Sequence, residues 1–240
     1  MLRRRYFLRL RSPTSMHCDT NCLPIAYNSR PADMAMMRNE RCAVYLLDTS
    51  KSITLASVDG PVLLLSAGPG VVQEENSKSI LRVADGKLYA SWEPFRSEEI
   101  RLRSVDGTFF AVQVFGHTGH MGQSKTACEH GDGVRSDVGT KLLVENALVC
   151  VWAFEVEAGA ECHVHRHLRD YFFLNILASD TIALDEQGKP KGPVSRQEAG
   201  QLTFVHVHPP YPVHGLVNVG SQRFRQFVVE FKQKWPPSRL

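Results

Sequence analysis

The chain has 240 residues, 43% of them hydrophobic, with 28 basic and 25 acidic side chains and a formal net charge of +3. That is enough chain for one large or two small domains with real cores. No apolar run approaches the ~18 residues of a membrane span, and a charge this small gives no footing for nucleic-acid binding.

Five of the basic residues, Arg3, Arg4, Arg5, Arg9 and Arg11, lie in the first fifteen positions, where there is no acid; without them 23 basic residues face 25 acidic ones. This opening, interleaved with Leu2, Tyr6, Phe7, Leu8 and Leu10, reads as a transit-type leader. We take 1–38 as leader or disordered segment, with Met16 or the Met34, Met36, Met37 group as alternative starts. At the other end Ser238-Arg239-Leu240 is a conservative variant of the C-terminal Ser-Lys-Leu peroxisomal address, carried on a 233–240 tail that Trp235-Pro236-Pro237 would keep extended. The expected location is a peroxisome-type organelle, with the mitochondrion as alternative. The six cysteines form no disulfide framework for a chain this long, so they are read as reduced; Cys18-x3-Cys22 lies in the leader and is not read as a metal site.

From Asn39 the pattern turns to short β-type runs: Ala43–Leu47, Ile53–Ala56, Pro61–Ser66, Ser79–Val83, Lys87–Ser91, Ile100–Val105 and Thr108–Phe115. Gly60, Gly68-Pro-Gly70, Asp85-Gly86 and Asp106-Gly107 punctuate them. The fold class is all-β. Residues 117–138 are glycine-rich and polar, which suits a linker. His117, His120, Cys128 and His130 fall there, at a spacing that fits no familiar zinc finger.

The second half restates the first. Asn146-Ala-Leu-Val-Cys-Val-Trp152 lines up with Asn39-Glu-Arg-Cys-Ala-Val-Tyr45, Asp170 with Asp59, and Gly200-Gln-Leu-Thr-Phe204 with Gly86-Lys-Leu-Tyr-Ala90. We read a duplication, 39–116 and 139–232. The alignment places Thr54 and Ala56 opposite His165 and His167, Ile100 opposite His214 and Ser104 opposite Asn218, so the first copy offers no equivalent imidazole.

The chemistry concentrates between Gly159 and Asn218. His163, His165 and His167 occupy alternate positions, which in a strand would send all three rings to one face. His214, from a distant segment, is the best candidate for a further ligand. Imidazole is a common neutral ligand for divalent transition metals, and an open site needs about three protein ligands. A second register is conceivable, His163-x-His165 followed by Asp170. On strand alternation, His206 and His208 are candidates for substrate contact, Tyr171 for a cavity hydroxyl, and Cys162 for the face away from the histidines.

Gly159-x5-His165-x-His167 resembles the first motif of cupins, and His214-x3-Asn218 resembles the close of the second. Gly139-Thr-Lys-Leu-Leu-Val-Glu-Asn146, Asp170-Tyr171 and Phe227-Val-Val-Glu230-Phe-Lys are similar to small cupins linked to β-alanine degradation. The resemblance covers about residues 136–232. One departure is that the glutamate of the usual first motif is missing: Tyr171 and Phe172 stand in its place, and the subgroup's Asp is Asp170. The resemblance implies a small antiparallel β-barrel, or a bicupin if the repeat holds, with one divalent transition metal (Fe, Zn, Mn or Ni) on His165, His167 and His214. It leaves His163 and Asp170 as lesser ligand candidates, Asp170 and Tyr171 as catalytic candidates, and His206, His208 and Asn218 lining a substrate cavity. The expected partner is a small, carboxylate-bearing metabolite, not nucleic acid or membrane, and a homo-oligomer is compatible with the reading. The alternative is a cupin that holds metal or ligand without turning it over.

Overall fold

The structure is a computed structural model. It describes residues 35–47, 49–50, 52–56, 60–75, 80–93, 98–115 and 134–232. The leader up to residue 34, Cys18 and Cys22, Asp59, the segment from His117 to His130 and the tail Ser238-Arg239-Leu240 lie outside the described residues.

The described residues form eighteen strands and no helix. The first nine are β1 (Ala35–Arg38), β2 (Cys42–Leu47), β3 (Ile53–Ala56), β4 (Val62–Ser66), β5 (Gly70–Glu74), β6 (Ile80–Val83), β7 (Tyr89–Glu93), β8 (Glu99–Asp106) and β9 (Phe109–Val114). The second nine are β10 (Lys141–Glu145), β11 (Val149–Val156), β12 (Glu161–Arg166), β13 (Tyr171–Leu177), β14 (Ser179–Leu184), β15 (Pro190–Gln197), β16 (Leu202–Val205), β17 (Val213–Asn218) and β18 (Phe224–Phe231).

They assemble into four antiparallel sheets. The first half gives a five-stranded sheet ordered β1-β2-β9-β4-β7 and a four-stranded one ordered β3-β8-β5-β6. The second half gives β10-β11-β18-β13-β16 and β12-β17-β14-β15. Adding nine to every label of the first pair reproduces the second. This is the jelly roll, or double-stranded β-helix, of cupins, present twice in tandem. The duplication reaches single hydrogen bonds. The Asn39 carboxamide accepts from the amides of Arg41 and Cys42 ahead of β2, and that of Asn146 accepts from Leu148 and Val149 ahead of β11.

The central strands read as near-continuous apolar runs because both of their faces are buried. In β2, Cys42 and Val44 point one way while Ala43, Tyr45 and Leu47 point the other; in β18, Phe227, Val229 and Phe231 oppose Phe224 and Val228. The first set of each joins one cluster that also takes in Leu63, Leu65, Val112, Val149, Val151, Phe172 and Leu174. The two five-stranded sheets therefore pack against each other and share a core. Each fully buried Val, Leu or Phe there is worth about 1.5–3 kcal/mol. The opposite faces fill the two barrels. The first interior is mainly apolar, with Ile53, Leu55, Leu64, Val72, Ile100, Leu102 and Phe109 among its buried residues, and Ser66, Ser104 and Gln113 are buried polar residues on the same strand faces.

Both expected domain boundaries shift. Strand β1 starts at Ala35, inside the segment read as leader, and Met36 and Met37 pack on the shared core. At the other junction Val138 is buried in the second barrel, and Arg135, expected in the linker, bridges in parallel to His165. The first-copy counterparts also move by one residue. Leu55 is the residue paired with Ile100, as His165 is paired with His214, while Thr54 is exposed.

Candidate metal centre

Strand β12 delivers His165 by way of an irregularity. Cys162 is paired with Leu216 but His165 with His214, so β12 spends one more residue than β17 over that interval. Such a bulge re-aims the side chains that follow it. Simple alternation therefore fails. Cys162 shares the interior face with His165 and His214 and is 3% exposed, contrary to the expectation that it would point away from them. His163 is turned out of the group: its Nε2–H donates to the carbonyl of Asp137 at 3.0 Å. The register that used His163 and Asp170 as ligands is not the one the structure adopts.

His167 follows β12, where its amide donates to the Pro212 carbonyl at 3.0 Å; that bond ties it to the segment leading into β17 and His214. Gly159, in the β11–β12 turn, has φ +76°, a backbone conformation that L side chains rarely adopt. Its amide donates to the carbonyl of Asn218, joining the two ends of the motif.

The three rings meet edge to face. His165 Nε2 lies 3.2 Å from His167 Nε2, which lies 3.0 Å from His214 Nε2. Three ligands at about 2.1 Å from one ion would stand about 3.0 Å apart at right angles and about 3.4 Å apart at tetrahedral angles. The spacing fits three facial ligands of a divalent transition ion, and among the described residues this is the only group so arranged.

The electronic state also fits. The Nδ1 of His165 lies 3.0 Å from the His163 carbonyl, which can only accept, so the proton of the neutral ring is on Nδ1 and the Nε2 lone pair is bare. Burial pushes His165 down to about 3, helped by the neighbouring His214, and pushes His214 down to about 4. Burial holds His167 well below the usual range too. All three rings are neutral near pH 7, which metal ligation requires. His167 differs from His165 in one respect: its Nδ1 is buried with no hydrogen-bond partner among the described residues. Its ring is instead stacked on Tyr171, with centroids 4.1 Å apart and planes 13° from parallel.

The other expected site residues divide. Tyr171 is inside the barrel at 6% exposure. Asp170 is not with the histidines: Oδ1 accepts from the Val207 amide at 2.8 Å and Oδ2 from Arg41 Nη2 at 2.9 Å. His206 and His208 face outward and are exposed, because Val205 and Val207 take the interior positions. His206 Nδ1 lies 3.6 Å from Asp170 and its Nε2 3.8 Å from Glu40. Asn218 is fully buried. Its amide donates to the carbonyls of Val156 and Gln222, and its oxygen accepts from Ser179 Oγ and the Gly220 amide, so all its capacity goes into holding β17.

Two residues near the site had no assigned role in the sequence. Glu230 is 2% exposed and directly across the ladder from Tyr171, so both side chains face the interior. Its carboxylate accepts from Trp152 Nε1 at 3.0 Å, with Arg169 at 3.8 Å; burial pushes it up against the pull of these partners. A glutamate inside the run Phe-Val-Val-Glu-Phe was the available signal. Arg41 left no such trace.

No protein-family model matches the chain, and no curated protein does. Solved structures of cupin-domain proteins are similar to it. A cupin 2 conserved barrel domain protein from Leptotrichia buccalis is 14% identical over 86% of this chain and 92% of its own, with a TM-score of 0.45. An IolB-like protein from Salmonella typhimurium LT2 is 13% identical over 87% and 93%, with a TM-score of 0.48. An oxalate decarboxylase is 12% identical over 82% and 70%, with a TM-score of 0.45. At these identities the likeness is one of fold, which the strand order carries by itself.

Proposed function

We propose that the second barrel binds one divalent transition metal through the Nε2 atoms of His165, His167 and His214, and acts on a small, carboxylate-bearing metabolite. The observation that carries this is the convergence of three neutral imidazole nitrogens, 3.0 and 3.2 Å apart along the chain of contacts, in a barrel interior. Such a metal would supply Lewis acidity and open coordination positions. The chain supplies the rest. His163 fixes the tautomer of His165 through its carbonyl, and Tyr171 holds the plane of His167. Among the described residues no carboxylate joins the three rings, so the charge of a dication would go uncompensated by these ligands, which favours an anionic substrate. If the metal is iron, dioxygenase-type chemistry is the reading to test, and β-alanine-related acids are the first substrates to screen. The first barrel is then a copy that has no ligands of its own, with Leu55 and Ile100 where the second has His165 and His214.

The second reading, a cupin that holds metal or ligand without chemistry, is favoured by the lack of a carboxylate among the candidate ligands in the described residues. Metal content by elemental mass spectrometry, on wild type and on His165→Ala/His167→Ala, tests the common part. We expect close to one transition-metal ion per wild-type chain and none in the variant. A wild type purified without chelator that holds almost none sinks the enzyme reading and the metal-holding form of the second. Substrate-dependent oxygen uptake, for iron, or product formation, for zinc or manganese, then separates enzyme from binder.

A further inference from the structure

We infer that the first barrel completes the metal site of the second by supplying Arg41, a positioning residue that acts through Asp170 and Tyr171 on His167. The inference rests on the metal-binding reading and adds a residue from the other half of the chain.

The argument begins with the unpartnered nitrogen. A metal-bound imidazole ordinarily has its second ring nitrogen held by a carbonyl or carboxylate, which fixes the ring's orientation. His165 has the His163 carbonyl, whereas His167 Nδ1 is buried with nothing. What remains to orient the His167 ring is its stack on Tyr171. Tyr171 opens β13, so its place depends on how the start of that strand is anchored. Asp170 is the anchor. Its backbone carbonyl accepts from Phe231 at the end of β18, and its Oδ1 accepts from Val207 beyond β16, so both neighbours of β13 are fastened at that residue.

A carboxylate in that position needs a counter-charge. Asp170 has 14% of its side chain exposed, and Arg41 Nη2, itself on a 6% exposed side chain, lies 2.9 Å from its Oδ2. Arg41 sits in the turn between β1 and β2, which the Asn39 carboxamide caps. The two partners are 129 positions apart and come from different barrels. The other titratable groups at this junction, His206 and Glu40, are both substantially exposed, at 3.6 Å from Asp170 and 3.8 Å from His206. They cannot replace a buried guanidinium. Removing Arg41 leaves a shielded carboxylate to seek water, and the rearrangement starts one residue from the ring that holds His167.

The test is a cobalt(II) titration of the full chain, followed by its visible absorption, for wild type, Arg41→Gln, Arg41→Lys, Asp170→Asn and Arg41→Gln/Asp170→Asn. Thermal melts of each metal-free protein run alongside. Leu63→Ala, in the shared core away from the site, is the control for plain destabilisation. Arg41→Gln is expected to weaken cobalt binding about 10- to 100-fold and to alter the absorption bands. Arg41→Lys should recover part of the affinity. The double variant should lose no more than Arg41→Gln alone, because both act through one contact. Leu63→Ala should melt earlier and bind cobalt as wild type does. The inference is overturned if folded Arg41→Gln binds with wild-type affinity and spectrum, or if Leu63→Ala loses affinity in proportion to its melting temperature. Should Arg41→Gln not fold, Asp170→Asn decides, and wild-type cobalt binding there overturns the inference. A wild type that binds no cobalt overturns the metal reading and this inference together; the other outcomes leave the metal reading standing.

Discussion

Acidification of the metal-free protein should destabilise it through the three ligand imidazoles, by an amount the structure lets us work out. In an unfolded chain each titrates near the ordinary 6.5 of a histidine; folded, His165 is held down to about 3, His214 to about 4, and His167 well below its usual range. Below pH 6.5 the unfolded chain therefore carries more protons than the folded one, and stability falls as pH falls. The loss is fully absent above that value and grows until the folded rings themselves begin to titrate, near 4 for His214. From pH 7 to pH 5 each shielded ring contributes about 2 kcal/mol by this linkage. His214 is only partly buried, so a total of roughly 4–6 kcal/mol is expected. A single domain has only about 5–15 kcal/mol to lose. Glu230 opposes the trend: its folded carboxyl is raised, so it adds stability at low pH that is lost as pH rises. That stabilisation is fully present below its ordinary value of 4.5 and is lost as pH rises from there towards the raised folded value. The assay is urea denaturation in chelator at pH 7, 6 and 5, for wild type and for His165→Gln/His167→Gln/His214→Gln. Wild type should lose roughly 4–6 kcal/mol across the series and the variant should lose little. Parallel pH profiles for the two proteins would refute the reasoning, since the dependence would then come from groups elsewhere.

Four further outcomes follow from the same geometry. Tyr171→Phe keeps the stack on His167 and should retain metal, whereas Tyr171→Ala should lose affinity about 10-fold or more, as read by the metal titration. Gly215→Ala should also weaken binding, because a Cβ there would stand 2.8 Å from the Cys162 carbonyl and force β17, with His214, away from β12; unchanged affinity would show that the strand pair can absorb the shift. Phe227→Ala, at a fully buried position between the two barrels, should cost about 3–5 kcal/mol in denaturant titration. Asn218→Leu should lower stability by several kcal/mol, since it removes all four hydrogen bonds of a fully buried carboxamide. If it abolished turnover without loss of stability, Asn218 would be a substrate residue after all.

What the sequence shows and what it hides have separate physical causes. Runs such as Val62–Ser66 and Phe109–Val114 are apolar on both faces, and turn residues bound them, so their extent is legible. Strand β1, Ala-Met-Met-Arg, and strand β5, which starts on Gly70 inside a turn signal, have neither mark; their register comes from β2 and β8. The same logic holds at the site. His165, His167 and His214 are legible because the chemistry needs that residue type at that spacing. Face assignments are not legible, because period-two alternation counts residues and a bulge adds one without changing the composition. The extra residue in β12 returned Cys162 to the interior and sent His163 to the Asp137 carbonyl.

Arg41 is hidden for a different reason. Nothing local distinguishes it from the other arginines. Only the packing of one five-stranded sheet on its duplicate sets the turn before β2 beside the start of β13. In a tandem repeat the two copies are free to diverge, since the shared core is secured by strands while the barrel interiors are not. The first interior has been filled with Ile53, Leu55, Ile100 and Leu102. On our reading its remaining contribution to the chemistry lies in the turn that faces its neighbour, where Arg41 stands at the position that Leu148 takes in the second copy.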